Sequence, residues 1–97
     1  MKNHLIILSP TELGAAIRST RIAAGLTQAD AAALCGVSGP FLNGLERGKA
    51  TAQLGLVLAA CAGLGIEIQL GLPAAIAPLS QAPRRKPRAR KPEASRG

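Results

Sequence analysis

The sequence predicts a mainly α-helical fold: a bundle of about four short helices, followed by one short β-strand and a disordered basic tail. Three features carry this reading. Helix caps and glycine stops recur at helix lengths between residues 9 and 65. The run 66–72 then switches to strict alternation of apolar and other residues. Charge, finally, is unevenly spread: residues 84–97 carry seven Lys or Arg against one acid, whereas residues 1–83 carry five against four. A chain of 97 residues has room for one small domain, and with one Phe, no Tyr and no Trp its core is built from Leu, Ile, Val and Ala. So thin a core suits a domain completed by a second subunit.

Taken in order, residues 4–8 (H-L-I-I-L) form a short apolar run and a candidate strand. His4 stands without ligand partners and marks no metal site. Ser9, Pro10 and Glu12 supply a cap, a first-turn proline that loses no hydrogen bond, and a capping-box carboxylate. Helix 1 is therefore expected from Pro10 to about Ala24, with Leu13, Ala16, Ile17 and Ile22 facing inward and Gly25 ending it. Thr27 caps helix 2, with Asp30 in the capping-box position and Gly36 as a left-handed stop. Ser38 caps helix 3. Ala31, Ala32 and Cys35 line the inner face of helix 2 and Leu42 and Leu45 that of helix 3, so small residues let two short helices cross closely.

Thr51 is expected to cap helix 4, running from Ala52 to about Ala62, with Leu54, Val57, Leu58 and Cys61 at helical spacing and Gly63 and Gly65 at its end. Ile66, Ile68, Leu70 and Leu72 then alternate with Glu67, Gln69 and Gly71, the pattern of a half-buried strand. A lone strand leaves its backbone groups unpaired, so its partner is the N-terminal run, the same strand of a second subunit, or both. Cys35 and Cys61 fall on apolar helix faces of a chain with no signal peptide and are expected as buried free thiols. The apolar content of residues 54–79 is preceded by Gln53 and interrupted by Glu67, Gln69, glycines and Pro73, which argues against a membrane span.

Helices 2 and 3 with their tight turn have the layout of a helix-turn-helix, whose second helix enters the DNA major groove. The stretch from Thr27 to Gly48, with T-Q-x-x-A-A-x-x-x-G-V-S-x-x-x-L-x-x-L-E-x-G, resembles phage repressor-like (Xre) regulators. With S-P-T-E-L-G-A-A-I-R-x-x-R before it and E-R-G-K-A-T-A-Q-L-x-x-V-L after it, the chain is most similar to HipB-like antitoxins, from about Leu8 to Leu72. The resemblance implies a repressor-like fold. It also implies a dimeric transcriptional repressor that binds an operator in double-stranded DNA, restrains a HipA-like serine/threonine kinase toxin and autoregulates its operon. Residues 1–72 would form the DNA-binding and dimerisation domain, and residues 73–97 the tail.

The resemblance places an ion pair between Arg21 and Glu46, where a guanidinium can grip a carboxylate through two hydrogen bonds. Thr27 and Gln28 open helix 2, whose free N–H groups suit a phosphate. By resemblance, Ser38, Gly39, Pro40, Asn43 and Gly44 face the groove, with Arg47 and Lys49 nearer the phosphates. Glycine and proline offer no side-chain hydrogen bonds, leaving Ser38 and Asn43 to meet base edges. Direct readout is therefore expected to be weak, with operator choice resting substantially on dimer spacing and DNA deformability. Ile66, Ile68, Leu70 and Leu72 are the expected dimer interface.

In the Pro-rich tail, Arg84, Arg85, Lys86, Arg88, Arg90 and Lys91 are candidate phosphate contacts. K-P-R-A-R-K-P departs from an AT-hook at Ala89, where the hook has glycine. No catalytic constellation, cofactor loop or metal-ligand cluster is visible, so an enzyme is not expected. Two further readings remain open: a stand-alone Xre-type regulator without a toxin, and a protein-interaction adaptor that has lost DNA reading. The expected location is the bacterial cytoplasm, at the nucleoid and not in a membrane.

Overall fold

The computed structural model describes residues 3–74. Four helices follow one another: α1 (Pro10–Ala23), α2 (Gln28–Cys35), α3 (Gly39–Glu46) and α4 (Leu54–Gly63). Local chemistry sets most of their ends. The Ser9 hydroxyl accepts from the Glu12 N–H at 3.2 Å, Thr27 from Asp30 at 3.0 Å and Ser38 from Phe41 at 3.0 Å, each satisfying a first-turn donor. The Glu12 carboxylate reaches back to the Leu8 N–H, which ties the N-terminal run to the first turn of α1. Gly36 takes up φ 72° and ends α2 in the left-handed conformation.

Helix α4 departs from expectation at its start. Its N-cap is Gln53, which makes no side-chain capping bond, while Thr51 lies in the preceding turn. Ala52 is half-buried against the core, so the chain spends these residues on packing before the helix begins. The core-facing residues of α4 are Val57, Ala60 and Cys61, while Leu54 and Leu58, at the same helical spacing, are 69% and 45% exposed. Ile22, expected to face inward, is also exposed, because five positions from the fully buried Ile17 is a rotation of roughly 140° around the helix.

Helix α3 packs on both α1 and α2, and α4 closes over α2. Ile17, Ala31, Ala32, Cys35, Leu42, Leu45, Val57, Ala60 and Cys61 form the buried core, rimmed by residues that include Leu13, Leu26, Phe41 and Ile66. Two glycines permit the crossings. A Cβ on Gly14 would come within 2.8 Å of the Glu46 carbonyl oxygen and closer still to that of Leu45, so α1 and α3 touch backbone to backbone. A Cβ on Gly63 would meet the Cys35 Cα at 2.8 Å. Both cysteines are free and buried, and the Cys35 thiol donates to the Ala60 carbonyl at 3.3 Å. Burial raises both thiol pKa values, and the neighbouring Cys35 raises that of Cys61 further, so both stay protonated.

Neither apolar run outside the helices is a strand within the single chain. His4, Leu5 and Ile7 of the first run and residues 66–70 of the second line a common groove with Leu13, Ala16 and Thr20 of α1, yet the two runs form no ladder with each other. Ile66 is half-buried on the core, while Ile68, Leu70 and Leu72 are 48%, 79% and 40% exposed. Alternation marks which side chains can share a face, but a strand also needs a paired edge, and the N-terminal run does not provide one. Among the described residues no helix is long and apolar enough to cross a membrane. The tail, with Arg84, Arg85, Lys86, Arg88, Arg90 and Lys91, lies outside the described residues.

Candidate nucleic-acid interface

Four polar side chains meet where α1, α2 and α3 converge. Arg21, in the last turn of α1, donates through Nε to Glu46 Oε2 at 2.7 Å and through Nη2 to Oε1 at 3.0 Å. Its third arm, Nη1, donates to the Leu26 carbonyl at 2.7 Å, so one guanidinium fixes both the end of α3 and the α1–α2 turn. Only 2% of the Glu46 side chain and 11% of that of Arg21 are exposed. Gln28, the first residue of α2, adds a third donor to the carboxylate, Nε2 to Oε1 at 3.0 Å, and a longer bond to Asn43 Oδ1 at 3.4 Å.

Burial alone would push the Glu46 carboxyl up. Hydrogen bonds from Arg21 and Gln28, with the positive charges of Arg21 and Arg18, outweigh it and hold the group below its ordinary value. Arg21 is in turn raised by its hydrogen bonds to Glu46, against the opposing effect of burial. The pair is charged at neutral pH and works as a clamp between helices.

Around this clamp, Pro40, Asn43 and Arg47 fall three and four residues apart along α3 and its C-cap, and all three are exposed in one row. Ser38 and Lys49 are exposed beside them, and Thr27 is exposed at the start of α2. The Ser38 oxygen is engaged in capping, which leaves its O–H as the group it can offer. Gly39 is half-buried, as is Gly44, which lies 3.6 Å from the Lys49 stem when given a Cβ. Gln28 is half-buried and turned inward to Glu46 and Asn43. Its contact with Asn43 and Glu46 crosses from one helix to another, where no spacing rule reaches. The three-residue step from Asn43 to Glu46 was the only sequence signal that they share a side of α3.

Among the described residues, no group of three or more His, Cys, Asp or Glu could hold a metal ion. The arrangement offers chemistry of another kind: a short helix clamped from behind by charge and core, with a row of exposed side chains in front. Such a helix is rigid enough to present hydrogen-bonding groups in fixed register to a groove.

The model of a family described as helix-turn-helix domain matches residues 12–70. The chain is 39% identical over 67 residues to the uncharacterized HTH-type transcriptional regulator y4mF of Sinorhizobium fredii, a match covering 69% of this chain and 88% of that protein. Among solved structures, a HipB variant in complex with an O2 20mer aligns with a TM-score of 0.66 at 25% identity, over 71% of this chain and 96% of the other. HipB in a HipA-HipB-O2-O3 complex aligns with a TM-score of 0.65 at 24% identity, over 70% and 96%, a likeness of fold.

Proposed function

The chain belongs to the helix-turn-helix family of DNA-binding transcriptional regulators, and on that footing we propose that it works as a dimeric, operator-specific repressor of the HipB antitoxin kind. The observation that carries this reading is α3: capped by Ser38, clamped through Glu46, and exposing Pro40, Asn43 and Arg47 along one row. In this role α3 lies in the major groove, Thr27 and the N-terminus of α2 approach a phosphate, and Arg47 and Lys49 flank the helix as phosphate contacts.

Dimerisation rests on the run 66–72. Its exposed Ile68, Leu70 and Leu72 form an apolar row without a ladder in one chain. Antiparallel pairing of this run with its symmetry mate supplies the missing edge to both copies and sets two recognition helices about one DNA turn apart, roughly 34 Å. The fold shared with a HipB solved in a HipA-HipB-O2-O3 complex fits a HipA-like protein partner; in this reading the partner is a kinase toxin and the operon is autoregulated. The relative y4mF is named a transcriptional regulator, a role that also fits the second reading, a stand-alone regulator without a toxin.

The test is a gel-shift titration with a duplex carrying the chain's own promoter, with and without the product of any adjacent kinase reading frame. A HipB-like module shifts the promoter duplex, co-purifies with the kinase and suppresses its activity. Promoter binding without kinase binding selects the stand-alone regulator. Kinase binding without a promoter shift would make the chain an adaptor and end the repressor reading.

A further inference from the structure

The side chains at the convergence of α1, α2 and α3 form a directional series, and direction in a hydrogen-bond series can be read by elimination. Arg21 has only donors. The Glu46 carboxylate, receiving two bonds from it, has only acceptors. Whatever end of Gln28 faces Glu46 must therefore donate, which fixes its amide with Nε2 inward and Nε2–Oε1 at 3.0 Å. The second hydrogen of that same nitrogen is what Asn43 meets, at 3.4 Å, so the atom of Asn43 turned to Gln28 must accept. Asn43 is thereby left with its Nδ2 group pointing away from Gln28, on the exposed row of α3.

An asparagine whose oxygen is free pairs with adenine through two bonds, giving a donor to N7 and taking one from N6. One whose oxygen is turned aside to a neighbouring donor keeps a second lone pair there but presents its NH2 to the groove, where guanine offers two adjacent acceptors, O6 and N7. On adenine it finds one acceptor beside a competing donor. Building on the proposed function, we infer that Asn43 reads the operator as a donor and selects guanine over adenine at one base pair of each half-site, with Gln28 as the positioning residue that sets its orientation. In the first turn of α2, Gln28 thus acts from behind the recognition helix and not on a phosphate. The guanidinium of Arg21 governs base choice through two intermediate side chains.

The probe is a duplex selected from a randomised library by the full-length protein, prepared in four versions that differ at the base pair where Asn43→Ala abolishes discrimination. Wild type is expected to favour guanine over adenine there by about five- to tenfold, the low end of a good bidentate base contact. Asn43→Asp, which can only accept, is expected to reverse the choice toward cytosine, whose N4 donates. Gln28→Ala frees the Asn43 amide to turn, and the guanine-to-adenine ratio is expected to fall to about twofold while discrimination at other positions persists. A merely structural Gln28 would weaken all four duplexes equally, which overturns its positioning role. Circular dichroism on each variant confirms the fold before titration. Adenine preferred by wild type, or base choice unmoved by Asn43→Ala, overturns the inference and leaves the repressor reading standing. Failure of wild type to select any sequence ends both.

Discussion

Replacing Glu46 with alanine takes away the acceptor of three hydrogen bonds at once, from Arg21 Nε at 2.7 Å, Arg21 Nη2 at 3.0 Å and Gln28 Nε2 at 3.0 Å. The carboxylate side chain is 2% exposed, so its loss leaves the guanidinium of Arg21, itself 11% exposed, beside a void with little water to replace it. Breaking a buried pair from one side costs about 3–5 kcal/mol. Arg21 keeps its 2.7 Å bond to the Leu26 carbonyl, which places the expected loss near the lower end, about 3 kcal/mol. A domain of this size loses about 4–8 °C of Tm per kcal/mol, so Tm is expected to fall by roughly 12–24 °C. Thermal and urea unfolding followed by far-UV circular dichroism read both quantities. A loss under about 1 kcal/mol, the scale of a solvent-exposed pair, would refute the reasoning and make the clamp a surface contact.

The same carboxylate gives a pH signature. Its folded pKa lies below the ordinary 4.5, so protonation favours the unfolded chain; the stability it contributes is present above about pH 4.5 and is lost as pH falls through the lower folded value. Glu46→Gln is expected to flatten that acid-side decline in unfolding measurements. Gly14→Ala drives a methyl against the backbone carbonyls of Leu45 and Glu46 and is expected to cost about 1–3 kcal/mol or to unseat α1 from α3, read as a fall in Tm. Ile68→Asp places a charge in the proposed intersubunit ladder; sedimentation is expected to show monomers and operator binding to be lost while the helical spectrum persists. Truncation after Leu79 removes the seven basic residues of 84–97, and the slope of log affinity against log salt is expected to fall by about 0.9 for each phosphate the tail no longer neutralises, with the preferred operator unchanged.

Much of this fold was legible because it is written in short-range chemistry. Ser9, Thr27 and Ser38 each cap the helix they precede, and Gly36 stops α2 as a left-handed residue, all within four residues of the feature they decide. The inward faces of α2 and α3 were equally plain, since Ala31, Ala32, Cys35, Leu42 and Leu45 repeat at helical spacing and all are buried. Ile22 was misplaced because apolar character says that a residue can be buried, and the limited area of a four-helix core decides which are; Leu54 and Leu58 on α4 stay exposed for the same reason. Residues 66–72 have the period of a strand and no ladder in one chain, since alternation is local and strand pairing is not. The row of Pro40, Asn43 and Arg47 on α3 could be counted from spacing. The inward turn of Gln28 could not, because it depends on how α2 crosses α3.

The claim that two copies of α3 read one operator is tested most directly by exposing the full-length protein to a library of randomised duplexes and sequencing those it retains. Enrichment of a two-fold symmetric sequence is expected, its half-site centres about one helical turn apart, near 34 Å. Retention without enrichment, or enrichment of a single asymmetric site, would contradict it.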